Sequence, residues 1–381
     1  MFHINNKSFK QLRATETTLM KHKLYNIRGN RFASLGQLDA AISYYEKALS
    51  IKPDYAEAHY NLGFTLQRLG QLDAAVRSYK KVVAIKPEYA EAHSNKILSV
   101  IYFFTNDQIP DAIDTLEALI KDNPNDALLF NMSGGCYASL GQVDMAVKNY
   151  EKALAIKPDY AVPQHMLNSL IGYTSKEPPK EYIKNLFDDF AERFDDSLIQ
   201  KLGYKLPFLM KELILKLDPN KSKFDKVIDL GCGTGLSGKE LRDISNNLTG
   251  IDLSENMVAK ARGLDVYDSL IVGDIVETLS TSTEKYDLFI ALDVLIYIGD
   301  AKSIFNTVRN CCNKNAFFIF SVETQAEDGY SLLKSARYAH SENYILNNTS
   351  DGFKVVDSQD VRLRKEGNSW IDGKIFILQA S

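Results

Sequence analysis

The chain is predicted to fold as an α-solenoid followed by an α/β domain with a doubly wound, mostly parallel sheet of seven strands. Three observations predict this. In the first half, Leu35-Gly-Gln-Leu-Asp-Ala-Ala41 recurs as Leu69-Gly-Gln-Leu-Asp-Ala-Ala75 and, varied, as Leu140-Gly-Gln-Val-Asp-Met-Ala146. In the second half, short apolar runs alternate with helix-compatible stretches, as in a parallel sheet with crossover helices. Where the first such run meets its helix stands Val227-Ile-Asp-Leu-Gly-Cys-Gly-Thr-Gly235, an apolar strand entering three alternate glycines.

Bulk properties narrow the class. With 381 residues, two or three domains are expected. The hydrophobic fraction of 45% is ordinary for a globular protein. A net charge of −4 sets up no field suited to nucleic acid or an anionic membrane, so neither partner is expected. Met1–Lys10 holds no apolar segment of the signal-peptide kind, and no run of about 18 apolar residues predicts a membrane span. The four cysteines, Cys136, Cys232, Cys311 and Cys312, form no CxxC pair. That is neither a disulfide framework nor a zinc site, so no metal is expected and a reducing cytoplasm is the expected location.

The repeats come first in the chain. Gly36 to Gly70 and Pro53 to Pro87 are both 34 residues apart. Each unit shows a glycine, then Ala41, Ala75 or Ala146, then Tyr45, Tyr79 or Tyr150, then Ile-Lys-Pro at Pro53, Pro87 and Pro158. Small residues let two antiparallel helices approach, the aromatic fills the groove, and proline ends the second helix. Four repeats are expected, 22–55, 56–89, 90–126 and 127–160. The third is longer by the difference between the Pro87–Pro124 interval and the other intervals, and has Tyr102-Phe-Phe-Thr-Asn106 at its turn. Residues 1–21 are expected as an N-terminal helix or cap, and 161–173 as a capping helix that closes the array at 174. This half resembles tetratricopeptide-repeat proteins, whose period is about 34 residues. Such solenoids present a concave groove. Asn61 and Asn95 fall at equivalent positions in successive repeats, with Asn26 and Asn131 one place earlier. They can pair with the backbone of an extended protein or peptide partner, or can simply be polar surface.

From 175 to 381 the second domain is expected. Pro179 opens a helix over Tyr182–Phe194, with Leu186, Phe187, Phe190 and Phe194 at helical spacing. A second helix, Ile199–Leu217, leads to the first strand at 226–230. A helix over 236–244 and strands at 248–252 and 269–272 follow. Between those strands lies a helix over 254–262 with Ser254 as its N-cap. A strand at 286–292, a helix at 300–312, a strand at 315–322 and a helical stretch near 327–350 come next. Strands at 353–363 and 370–379 close the domain as a hairpin.

Glycines tolerate positive φ and let a ligand approach the main chain closely, so the loop after strand one reads as a nucleotide-type cradle. Its spacing is G-x-G-x-G, not the dinucleotide G-x-G-x-x-G. Asp252 ends strand two, 17 residues after Gly235. It can accept hydrogen bonds from both hydroxyls of a ribose, or serve only as a helix N-terminal carboxylate. Asp229 can orient the glycine loop or hold a ligand's ammonium group, or be a buried acid bonded to loop N–H groups. Cys232 reads as a small residue packed in the turn.

The nonamer 227–235 resembles motif I of the class I, Rossmann-like methyltransferases that use S-adenosyl-L-methionine. Phe187-Asp-Asp-Phe-Ala-Glu-Arg-Phe-Asp-Asp-Ser-Leu-Ile199 and Arg337-Tyr-Ala-His-Ser341 sharpen the likeness. With the repeats, the chain resembles a bacterial family of predicted methyltransferases carrying tetratricopeptide repeats, a family related to the single-domain Williams–Beuren-region methyltransferase-like proteins. Ser197 departs from it, standing where that family often has His. The resemblance implies a donor site built from Asp229, Gly231, Cys232, Gly233, Gly235, Asp252, Leu253 and Met257. It adds Gly273, Asp274 and Ile275 at the adenine, Asp293 at the reaction centre, and Phe187 or Phe190 on a lid helix. The bland alternatives are a strand-end loop residue for Asp274 and an apolar stripe packed on the sheet for the phenylalanines. Asp293 and Tyr297 can line the acceptor side, or accept backbone hydrogen bonds and staple a helix start, respectively. His340 can act as a base or be a hydrogen-bonded structural histidine. Arg337 can bind an acceptor's carboxylate or pair with an acidic neighbour.

The expected activity is therefore methyl transfer from S-adenosylmethionine to an acceptor that the solenoid recruits. The alternatives are an inactive methyltransferase fold serving as a scaffold, and a small-molecule enzyme whose repeats serve assembly alone.

Overall fold

The computed structural model describes residues 21–69, 71–86, 96–105, 107–191, 194–196, 198, 202–217, 223–366 and 369–381. The expected cap before residue 21, Asn95 and Ser197 lie outside them. The chain divides into two compact units, 1–160 and 161–381.

The regular elements of the first unit are all helices among its described residues. A helix over 21–34 precedes Leu38–Ile51, and then Ala56–Arg68 precedes Leu72–Ile85. Lys96–Thr105 and Ile109–Asp122 follow, then Ala127–Ser139 and Val143–Ile156. The repeat residues explain the pairing. Tyr45, Tyr79 and Tyr150 are almost fully buried. Their rings lie against Gly29, Gly63 and Gly134 of the preceding helix, where a Cβ would come within 2.8 Å of Tyr79 and 2.6 Å of Tyr150. These glycines, with Ala41, Ala75 and Ala146, are the small residues that set the helix spacing. Gly36 and Gly141 do a different job: with φ of +75° and +70° and nothing near them, they are turn glycines. Three helices end at Ile51, Ile85 and Ile156, each two residues before a repeat proline, which disfavours helix in the residue ahead of it.

The expected capping helix forms as Ala161–Ile171 but belongs to the second unit. Its His165 donates from Nε2 to the carbonyl of Ala336 at 3.0 Å, and its ring lies 4.5 Å from that of Tyr182. The compact unit that holds this helix begins at Ala161, whereas the sequence reading ends the repeat array at 174.

The second unit is built on one sheet. Strands β1 (Phe224–Leu230), β2 (Ser245–Asp252), β3 (Ser269–Val272), β4 (Tyr286–Ala291) and β5 (Cys312–Thr324) run parallel in the order β3-β2-β1-β4-β5. Two further strands, β6 (Tyr330–Leu332) and β7 (Tyr338–His340), form a short hairpin that extends the far end of β5. The closing hairpin is β8 (Phe353–Glu366) with β9 (Ser369–Ala380), and β9 runs antiparallel to β5. The seven expected strands are all present, and β6–β7 are additional. They occupy most of the stretch expected as helix near 327–350, where the helix is confined to Glu342–Thr349.

Alternation along the strands supplies two cores. Ile228, Leu230, Phe289, Phe318 and Phe320 face one side with Phe305 and Phe376. Val227, Leu248, Leu288, Ile290 and Ile319 face the other, against Leu206, Met210 and Leu213 of the Leu206–Leu217 helix. That helix is shorter than the expected Ile199–Leu217. The strand order reverses between β1 and β4, so their carboxyl ends open a crevice, the place where such sheets bind ligands.

Candidate functional site

The crevice holds a cavity of about 590 Å³, within the range of about 300–1,000 Å³ typical of small-molecule sites. The loop after β1 forms one wall. Gly231, Gly233 and Gly235 have φ of +70°, +54° and +95°, a region costly for any residue with a Cβ. A Cβ on Gly231 would also meet Val294 Cγ2 at 2.5 Å. The N–H groups of Gly231 and Cys232 both donate to the Ile251 carbonyl, at 2.8 and 2.9 Å, which ties the loop to β2.

Asp252 stands at the end of β2. Its Oδ2 accepts from the Gly233 N–H at 2.8 Å and its Oδ1 from the Ser254 N–H at 2.9 Å. Each oxygen keeps a lone pair, and the side chain lines the cavity beside Leu253. Burial pushes its pKa up, and the two amide hydrogen bonds oppose that rise. Ser254 caps the Glu255–Arg262 helix as expected, accepting from Met257 N–H at 3.1 Å.

At the end of β3, Gly273, Asp274 and Ile275 line the cavity. Asp274 is the N-cap of a helix the sequence reading lacks, Ile275–Thr281, and accepts from the Glu277 N–H at 2.9 Å. The signal was present: an Asp followed three residues later by Glu is a capping pattern.

The Lys180–Phe190 helix lines the cavity through Lys180, Ile183, Leu186 and Phe187. Phe187 packs edge-on against Tyr297, ring centroids 5.1 Å apart, and both line the cavity. Polar contacts bind this segment to the loop after each of the first three strands. Lys180 lies 3.2 Å from Asp274. Asp188 Oδ1 accepts from Ser254 Oγ at 2.6 Å. Thr234 Oγ1 donates to Asp195. Nothing is described of the Phe190 side chain.

Asp293 follows β4 with φ +54°, unusual for a residue with a side chain. Its N–H donates to Ser321 Oγ at 2.8 Å, and its Oδ2 accepts from Arg364 Nη1 at 3.2 Å. Arg364, on β8, also donates to the buried Glu323 of β5. Burial pushes the Asp293 carboxyl up, and the two arginines Arg364 and Arg337 oppose this. Arg364 and Glu323 escape the sequence reading because 71 residues separate Arg364 from Asp293; only the closing hairpin brings them together.

Four expected site residues do not line the cavity. Asp229 is buried under the loop, accepting from Tyr267 Oη at 2.7 Å. Met257 is fully buried in its helix. Gly235 caps the Leu236–Leu241 helix. His340 lies on β7, fully buried, with Nε2 donating to the Gly299 carbonyl at 3.0 Å; burial pushes its pKa down. Of its two readings, the hydrogen-bonded structural histidine matches this placement. Cys232 is a packed thiol whose pKa burial pushes far up. Among the described residues, no group of three or more His, Cys, Asp or Glu side chains is arranged to hold a metal ion. Nor is any helix long and apolar enough to cross a membrane.

Comparison with known proteins agrees with the two-unit division. Residues 29–70, 56–89 and 98–161 match families described as TPR repeat or tetratricopeptide repeat, and residues 221–359 match one described as methyltransferase domain. The chain is similar to the ubiquinone biosynthesis O-methyltransferase of Glaesserella parasuis serovar 5, 26% identical over 116 residues, covering 28% of this chain and 49% of that protein. It is similar to the peroxisomal targeting signal receptor of Candida glabrata, 33% identical over 67 residues, covering 18% of this chain and 11% of the receptor. Among solved structures it is similar to magnesium protoporphyrin IX methyltransferase from Synechocystis PCC 6803 with bound SAH, at 20% identity and a TM-score of 0.42, covering 53% of this chain and 100% of that one. The chain thus spans about half the length of the curated methyltransferase and a small part of the receptor.

Proposed function

We propose that this chain, which joins tetratricopeptide repeats to a methyltransferase domain, transfers a methyl group from S-adenosylmethionine to an acceptor recruited by the repeats. The observation that carries the reading is Asp252. A buried, acceptor-only carboxylate at the end of β2 faces the cavity while two loop amides hold it in place. Its two acceptor oxygens fit a ribose, whose two hydroxyls need acceptors. Gly273, Asp274 and Ile275 fit the edge of an adenine, Asp274 through its carboxylate.

Bound there, S-adenosylmethionine supplies a methyl group already activated as a sulfonium. The chain's own work is then to position, to exclude water and to manage a proton. The Lys180–Phe190 helix, through Phe187, keeps water out. Asp293 faces the acceptor and accepts its proton or hydrogen bond, with Tyr297 as the adjoining wall. Asp229 acts from beneath the loop, holding Tyr267.

The recruiting role rests on the repeats and on their similarity to a receptor named for a targeting signal. A protein or peptide partner fits a solenoid groove. Asn26, Asn61 and Asn131 are bonded within the chain. Asn61 donates to Asn26 at 3.0 Å, Asn26 to Glu57 at 3.0 Å, and Asn131 to Tyr160 at 3.2 Å. Asn26 is wholly buried and cannot meet a partner, whereas Asn61 and Asn131 are half-buried. Four free cysteines, none paired, are consistent with the reducing cytoplasm.

Isothermal titration of the folded protein with S-adenosylmethionine tests the reading. Binding is expected, and a folded sample that takes up no donor at millimolar concentration would sink the proposal.

A further inference from the structure

We propose that the hydroxyl of Tyr204 holds the amino-acid end of the methyl donor, donating a hydrogen bond to its carboxylate. The inference rests on the methyltransferase reading and adds to it a binding residue that the sequence does not single out.

The sheet order β3-β2-β1-β4 sets the direction in which the donor lies. With the adenine at Asp274 after β3 and the ribose at Asp252 after β2, the methionine end falls over the ends of β1 and β4. A carboxylate there cannot draw on four amides of the glycine loop. Gly231 and Cys232 spend their N–H groups on the Ile251 carbonyl, Gly235 on the Cys232 carbonyl and Gly233 on Asp252. Asp229 lies beneath the loop on Tyr267, outside the cavity lining. The charged end of the donor therefore needs side-chain partners from the cavity wall.

Tyr204 supplies one. It lines the cavity and is only 9% exposed. Its hydroxyl has no hydrogen-bond partner among the described residues, yet its oxygen keeps open surface. A buried tyrosine hydroxyl usually finds a partner, so an unmet one beside a ligand cavity points to a group that arrives with the ligand.

Local structure puts this hydroxyl on the donor side. The Tyr204 N–H donates to the Leu198 carbonyl at 3.0 Å. That bond folds the residue back onto a segment tied to the glycine loop: Thr234 donates to Asp195, and a Cβ on Gly233 would lie 3.6 Å from Phe194. Tyr297, the other cavity tyrosine among the described residues, is packed on Phe187 instead.

The charges around the phenol suit an anion. Burial pushes its pKa well above the ordinary value and Asp293 adds to the rise, so the group keeps its proton and can donate it. Arg364 acts on the same phenol with the opposite sign and is paired with Asp293. The acid nearest in effect is thereby balanced by a cation.

The test is calorimetry on the full chain with three probes. They are S-adenosylhomocysteine, its decarboxylated analogue, and methylthioadenosine, which keeps adenine, ribose and sulfur but has no amino-acid end. Wild type is expected to bind the decarboxylated analogue about tenfold more weakly than S-adenosylhomocysteine, as for loss of a hydrogen bond to a charged group. Tyr204→Phe removes only the unpartnered hydroxyl. It is expected to lower S-adenosylhomocysteine affinity about tenfold and to leave the other two probes within about twofold. If that variant does not fold, Tyr204→Met replaces it with the same expectations. Unchanged S-adenosylhomocysteine affinity in the variant, an equal loss for methylthioadenosine, or a wild type indifferent to the carboxylate overturns the assignment. Failure of S-adenosylhomocysteine and methylthioadenosine alike to bind the wild type overturns the methyltransferase reading itself.

Discussion

The carboxylate of Asp252 holds the glycine loop by accepting the Gly233 N–H at 2.8 Å. One side chain at the end of β2 thus orders the loop that follows β1 and offers its remaining lone pairs to the cavity. Asp252→Ala removes both effects. Donor affinity is expected to fall by about 1–3 kcal/mol, the cost of losing charge-assisted hydrogen bonds. Calorimetry with S-adenosylhomocysteine measures it, and wild-type affinity in the variant would refute the ribose assignment.

Asp188 ties the covering helix to the loop after β2 through Ser254 and Asn256. Losing this tie leaves the sheet intact but loosens the cover. Asp188→Ala is expected to speed dissociation of S-adenosylhomocysteine several-fold, for a contact worth about 1 kcal/mol. Stopped-flow fluorescence would show it. An unchanged off-rate would mean that the helix does not limit exit.

Burial lifts the Asp229 carboxyl from its ordinary 3.8 to about 7, against the opposing hydrogen bond from Tyr267. The folded protein therefore holds this proton more tightly than the unfolded chain does. The stability it contributes is complete below about pH 4 and is lost as pH rises through about 7. Asp229→Asn stays neutral and can still accept from Tyr267. Its stability relative to wild type is expected to rise between about pH 5 and pH 8. Parallel urea-denaturation curves across that range would contradict this.

The unit boundary after Tyr160 predicts where the chain can be cut. The fragment 161–381 keeps the His165–Ala336 hydrogen bond, and 175–381 loses it together with the buried Leu167. The longer fragment is expected to melt at least several degrees higher, for a loss of about 2 kcal/mol or more in the shorter one. Equal melting temperatures would show that the Ala161–Ile171 helix contributes nothing to the second unit.

Gly63 lies under Tyr79, where a Cβ would sit 2.8 Å from the ring. Gly63→Val overfills that helix pair and is expected to cost about 1–3 kcal/mol, read as a lower thermal midpoint of the first unit. Gly36→Ala meets no neighbour, and its cost is expected to come only from the positive φ, about 1–2 kcal/mol. A Gly63→Val cost well below about 1 kcal/mol would contradict the packing account.

Local patterns were readable where one stretch of chain carries its own physical reason. The 34-residue period, the alternate glycines after an apolar strand and the Ser254 cap each follow from neighbours in sequence. The β6–β7 hairpin was not readable. Its three-residue strands are too short to show an alternation, and they hold because β7 pairs with the end of β5. The Ile275–Thr281 helix is too short to show a periodicity, and its Asp274–Glu277 capping pattern was the one local signal that marked it.

What the sequence by itself determined is the order of parts and the cavity wall at which we propose the methyl donor binds. Asp252, the glycines and Asp274 lie at strand ends, and a strand end is a local feature. Only the tertiary structure decided the cavity wall around Asp293. Asp293, Glu323, Arg337 and Arg364 come from the ends or edges of β4, β5, β7 and β8. They meet because the closing hairpin folds back on β5, which places Arg364 and Arg337 beside the buried Glu323. The same burial moved His340 the other way, from a base the sequence allows to a ring bonded to Gly299 away from the cavity. Residue type and spacing carry no record of which polar group will be left without a partner, because that depends on every neighbour the fold supplies.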